Sequence, residues 1–286
     1  MQGSIAQVVA LASYGNAFLR GPADFDRNFY LPNSTFKFCE KIDFVGIRRD
    51  GVQWKETPFA PDPIAWFGAI RDEGVVGLRM IYGPSGEKKT SDRRMVGFVG
   101  GGGRWLIEAV GSGSSDWWEG RWRVGDRNRE DKRIWRVTYG RIATGQFLRS
   151  EPVESLSHLH DELESCLRAI AEFAHSQSLD EFAKAFESGL GRLSSEKPYD
   201  GLHHPDVAPL QLLPLSAHQL LGAAQAAWVF GGMGSWNDMS FKGDVQSRYD
   251  ELSERLYQLL NRAIVAATNS CTPTEPSKRR PWQFWK

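Results

Sequence analysis

The chain has 286 residues, of which 41 % are apolar and 24 % charged, with 35 basic residues balanced by 35 acidic ones. That composition excludes a long disordered or collagen-like chain and leaves enough apolar residues for one large core or two ordinary ones. Zero net charge argues against a general phosphate binder. The three cysteines, Cys39, Cys166 and Cys271, are odd in number and form no CxxC pair, so neither a disulfide framework nor a thiolate zinc site is indicated.

The apolar opening carries no basic residue ahead of its apolar run, unlike a secretory leader, and no stretch approaches ~18 uninterrupted apolar residues. The expectation is a soluble cytoplasmic protein. Ile5–Ala12 reads as a short opening helix. Ser34–Val45 then alternates aromatic and polar residues, which is strand periodicity, and a hairpin continues through Ile47–Trp54. Pro61 and Pro63 introduce a short helix over Asp62–Arg71.

Five β-type runs follow: Val75–Tyr82, Met95–Val99, Trp105–Val110, Trp117–Val124 and Arg133–Ile142. The links between them are too short for crossover helices, so the first half reads as an antiparallel meander. From Ser150 the apolar period becomes helical: Leu156, Leu159, Leu163, Leu167, Ile170 and Phe173 form one stripe. Ser178–Glu181 and Ser216–Gln219 have the spacing of capping boxes, and a long helix starts near Val245 with Asp244 as its cap. The predicted class is α+β: an antiparallel β-rich domain over 1–149, a helical bundle or layer over 150–270, and a flexible basic aromatic tail over 271–286.

The balanced charge conceals an asymmetry. Residues 88–149 hold 14 Lys and Arg against 7 Asp and Glu, whereas residues 150–270 hold 8 against 17. Attraction across an internal interface is the simpler reading, and separate basic and acidic faces for partners the other.

Two glycine clusters invite attention. In Val96-Gly-Phe-Val-Gly-Gly-Gly-Gly-Arg-Trp105 a dinucleotide fingerprint fails, because Trp105 occupies the third glycine position and Arg104–Val110 has no clear helical pattern; a glycine turn is the expectation. The second cluster, Gly231, Gly232 and Gly234 with Trp236, Asn237 and Asp238, sets a ring, an amide and a carboxylate on a loop. Gly231 or Gly232 would serve as the residue ending the preceding helix. No Gly-Lys-Ser or Gly-Lys-Thr follows, so it is no P-loop, and Ser235 lacks the glycines of a nucleophile elbow.

His158 and His160 lie about 200° apart on a helix and cannot share a metal. His160-Asp161 resembles the dyad of HD-type metal phosphohydrolases, but that family needs an upstream histidine and His158 is the first in the chain. His203, His204 and Asp206 lie in a loop without an evident third ligand. No metal or cofactor is therefore expected.

Arg133, Trp135, Tyr139 and Arg141 share strand parity, and cations and rings on one exposed face would suit RNA or single-stranded DNA. Trp282, Phe284 and Trp285, set among Lys278, Arg279, Arg280 and Lys286, read as a docking peptide, with a membrane-surface anchor as the alternative. Three functional readings follow. The leading one is a non-catalytic accessory or adaptor protein that binds a protein partner through Gly231–Asp238 and the tail. A nucleic-acid module on the basic strands is the second, and a hydrolase-type enzyme between the Gly231 and His203 loops the third. Partner identity and oligomeric state are not encoded in any motif.

Overall fold

The structure is a computed structural model that describes residues 1–21, 25–51, 53–86, 91–98, 101–147 and 154–272. It is an α+β fold with a six-stranded sheet in the first half and helices in the second. The strands are β1 (Cys39–Asp50), β2 (Gln53–Ala60), β3 (Gly77–Gly83), β4 (Arg104–Val110), β5 (Ser114–Val124) and β6 (Trp135–Phe147), in the spatial order β2-β1-β6-β5-β4-β3. Pairs joined by short connections are antiparallel, as their length requires.

The sheet departs from a pure meander at its centre, where β1 and β6 pair parallel. The cause is the β2–β3 connection. It contains α2 (Pro63–Asp72), started by Asp62, whose carboxylate accepts from the Ala65 N–H at 2.8 Å. This link carries the chain to the far margin of the sheet, from which β3 to β6 return strand by strand to β1.

The opening helix α1 (Gly3–Arg20) is far longer than Ile5–Ala12, and it is buried on all sides. Its third turn, Ser13-Tyr-Gly-Asn16, has the composition of a loop. Gly15 is there because a Cβ would lie 2.3 Å from a Leu78 methyl and 2.8 Å from the Phe67 ring. The Asn16 side chain accepts from Leu78 N–H and donates to Leu78 C=O, both at 2.8 Å. Asn269 treats Met80 the same way, at 2.7 and 2.9 Å. Two amides thus satisfy the outward backbone groups of β3, which no strand covers. At the opposite margin β2 carries Lys55, Glu56 and Pro58, residues that discourage strand addition.

Helices α4 (Leu156–Ser176), α5 (Asp180–Leu193), α6 (Leu215–Ala226) and α7 (Gly243–Asn269) form the second layer. One apolar cluster runs from Ile5 through Trp66, Trp118 and Leu163 to Cys271, so the sheet and the helices share a core. Neither capping-box serine caps: α5 and α6 begin after Leu179 and Pro214 without a side-chain cap bond, and Ser178 has φ +56°. Lys242, not Asp244, precedes α7. The run expected as a strand at Met95–Val99 instead follows a single helical turn, α3 (Asp92–Met95); Val99 itself lies outside the described residues. Ser34–Phe36 is a 3-10 turn, and β1 starts only at Cys39. Among the described residues no helix is long and apolar enough to cross a membrane.

Candidate functional site

The two glycine clusters meet. A Cβ on Gly97 would lie 2.3 Å from the Gly231 carbonyl oxygen and 2.9 Å from Gly232 Cα, so only glycine permits this approach of backbone to backbone. Gly101 and Gly102 are similarly pressed against Met95 and Val96, the latter with φ +83°. The first cluster is therefore a turn, and its lack of side chains serves packing against the second.

Beside this junction lies a cleft of about 810 Å³, formed by residues 93–98, the Gly231–Phe241 segment and the first turns of α7. Arg93 is its buried anchor, only 2 % exposed. Its guanidinium donates to Asn237 Oδ1 at 3.1 Å and Asp250 Oδ1 at 3.0 Å, and lies 5.5 Å from the Tyr249 ring centre. Asn237 returns a bond to the Arg93 carbonyl at 2.8 Å. Arg94 reaches the same Asp250 oxygen at 3.0 Å. Partial burial works against the charge on Asp250, but Gln246 and the two arginines outweigh it and hold the carboxyl below its ordinary pKa.

Of the loop residues expected to meet a partner, Gly231, Gly232, Asn237 and Asp238 line the cleft. Trp236 does not. It is fully buried, with its Nε1 donating to Ser253 Oγ at 2.7 Å and its ring edge-on to Phe182 and Phe186. Its place as a contact residue is corrected: the large ring fills the space between α5 and α7. Gly231 does not end α6 either, because the helix stops at Ala226 and residues 228–230 turn Trp228 and Phe230 onto Tyr257. Gly234, with φ +83°, is exposed, and its N–H bonds to the Asp238 carboxylate. Ser235 caps the 3-10 turn Trp236–Asp238 and donates to Gly231 C=O at 3.1 Å.

Sequence reasoning missed Phe98 and Met233. Both line the cleft, and they are 66 % and 101 % exposed, the apolar side chains that the two joined loops hold out to solvent. The outward position of Met233 has a signal in the glycines on both sides, whereas nothing local distinguishes Phe98 from a strand residue.

No match is found among family models, curated proteins or solved structures.

The basic strands are built differently from a nucleic-acid surface. Trp135, Tyr139 and Arg141 do share a face, but it is the face the helices cover. Tyr139 is fully buried, stacked on Phe44 and donating to Gln7 Oε1 at 3.0 Å, so it cannot stack on a base. Arg141 packs 4.3 Å from the Phe59 ring centre and is bound by Glu73 at 2.7 Å and Asp116 at 3.3 Å. Arg133 precedes β6, in a turn where its N–H bonds to Asp131. The opposite face carries Arg121–Glu56, Arg136–Glu40, Arg104–Glu119 and Arg79–Glu108, each cation answered from a neighbouring strand or from the end of one nearby. Its charge is internally balanced, which weakens the case for phosphate binding.

The His203 loop does not line the cleft. His204 and Asp206 instead meet Ser34, a residue too distant in sequence to be foreseen. The Ser34 hydroxyl donates to Asp206 and lies 3.2 Å from His204 Nδ1, while Ser34 N–H bonds to both Asp206 carboxylate oxygens at 3.0 and 3.2 Å. These are the residue types of a hydrolytic triad in the wrong sequence, because a triad places histidine between serine and acid. Asp206 holds the 3-10 turn at Ser34 in place. Burial first, then the Met1 amine and His203, push His204 down to about 4 against the pull of Asp206.

The three cysteines are buried and free, with the Cys39 and Cys166 thiols pushed up to about 11 by burial. His160 contacts the Leu193 carbonyl at 3.2 Å. Among the described residues no group of three or more His, Cys, Asp or Glu side chains is placed to hold a metal ion. Trp282, Phe284 and Trp285 lie outside the described residues.

Proposed function

We propose that this chain is a non-catalytic accessory or adaptor protein that docks a segment of a protein partner on the cleft beside Gly97 and Gly231, with Trp282, Phe284 and Trp285 as a second contact. The observation that carries this reading is the pair Phe98 and Met233. Two solvent-facing apolar side chains stand on a junction rigid enough to keep them apart from the core, at the rim of a cleft. Exposed apolar groups grouped around a concavity mark contact surfaces. The Arg93, Arg94 and Asp250 charges in the cleft are already bonded to one another, which favours a surface that is recognised over one that reacts.

Burying Phe and Met side chains contributes roughly 1.5–3 kcal/mol each, and 1.4 kcal/mol is a tenfold change in affinity. The test compares the native chain with a Phe98→Ser, Met233→Ser double variant in affinity purification from native cells, then with the purified candidate. A protein that binds the native chain at least tenfold more tightly than the variant supports the reading. Equal binding to both, or no specific partner, overturns it.

A further inference from the structure

The long helix α7 lies along the margin of the sheet, and its contacts mark out a track. Thr272 donates to Leu78 C=O at 2.8 Å, Asn269 clasps Met80, and Tyr257 bonds to Gly102 C=O at 2.7 Å. Arg93 meets Glu254 at 3.6 Å and Asp250 at 3.0 Å. The track starts where the described chain stops, at Thr272, and ends at the cleft. At ~1.5 Å per residue, Asn269 and Asp250 stand about 29 Å apart along the helix.

The following segment, residues 273–286, has a matching length and chemistry. Pro273, Pro276 and Pro281 favour an extended chain, which advances ~3.1 Å per residue, so ten residues cover about 31 Å. That brings Trp282 level with Asp250, and Phe284 and Trp285 beyond it to Phe98 and Met233. Lys278, Arg279 and Arg280 fall beside Glu254 and Asp92, while at the far end the Asp238 carboxylate forms no salt bridge among the described residues. Arg94, bonded to Asp250, is the cation the segment has to pass.

We propose that residues 273–286 lie along α7 and seat Trp282, Phe284 and Trp285 on Phe98 and Met233, so that the chain's own segment fills the cleft until a protein partner displaces it. Methionine sulfur and aromatic rings attract one another, and mutual cover keeps two adhesive surfaces out of water in the free protein. The inference rests on the docking function proposed above, yet it stands or fails separately.

The experiment places p-benzoylphenylalanine at position 233 of the full chain, a fully exposed site where the change does not disturb packing. A mixture of isotopically light and heavy chains is irradiated and the joined peptides are mapped by mass spectrometry. The expected product joins position 233 to a peptide within 278–286 of the same chain. It falls at least fivefold in a Trp282→Ala, Phe284→Ala, Trp285→Ala variant. Absence of that product, joins only between light and heavy chains, or a yield unchanged by the triple substitution overturns the proposal. None of these three outcomes alters the partner-affinity comparison with the Phe98→Ser, Met233→Ser variant, so failure of self-docking and failure of partner docking are read apart.

Discussion

The exposed face of the sheet and the Gly97–Gly231 junction both gather arginines, but they use them in different ways. On the sheet, Arg104, Arg121 and Arg136 are 56, 39 and 58 % exposed along their side chains, and each meets a glutamate on another strand. At the junction, the Arg93 side chain is 3 % exposed and is bonded at once to a loop amide and to α7. Solvated pairs are individually weak and replaceable, whereas a buried cation fixes the position of everything that must satisfy it. The same residue type thus covers one region and locks the other.

If this contrast holds, substitutions at the junction should far outweigh those on the sheet face. Trp236→Ala removes the ring that fills the space behind the loop and should cost ~3–5 kcal/mol, measured by urea unfolding. A loss below ~1 kcal/mol would show that the loop is not part of the core. Gly97→Ala forces a methyl into the Gly231 carbonyl and should cost roughly 1–3 kcal/mol. An unchanged melting temperature would mean that the two loops part easily.

Between the extremes lies the Ser34–His204–Asp206 cluster. His204 titrates near 4 when folded and near 6.5 when unfolded. Below about pH 6.5 the unfolded chain therefore takes up a proton that the folded chain refuses; stability is highest above that pH and falls as pH drops toward about 4, where the loss levels off. Allowing for partial exposure of the ring, the loss by pH 4.5 should be about 1–2 kcal/mol. His204→Asn should lessen the difference between urea midpoints at pH 7 and pH 4.5; equal differences in both chains would rule out His204 as its source.

The smallest effect belongs to the sheet. Arg136→Ala should cost under ~1 kcal/mol, and less still in high salt. A loss comparable to that of Gly97→Ala would erase the distinction between the two regions.

What could be read from sequence was what local rhythm controls. The change of period near residue 150, the stripe of α4 and the short helix after Asp62 all depend on residues close in the chain, and each is present. The β1–β6 pairing was hidden because parallel neighbours far apart in sequence leave no mark in either strand. The end of α1 was hidden because Gly15 and Asn16 act on Leu78 and Phe67, partners absent from the local pattern. In the site, the glycines were visible but their reason was not: each cluster explains the other. Strand parity correctly grouped Trp135, Tyr139 and Arg141, yet parity alone does not say which face the helices cover.

The amide clasps of Asn16 and Asn269 on β3 also limit how copies of this protein can associate. With that side of the sheet closed and only β2 open, strand-to-strand joining can link two molecules through one seam, and the resulting pair presents no further open strand. Growth into a filament by this route is barred by two asparagines, one near each end of the described chain.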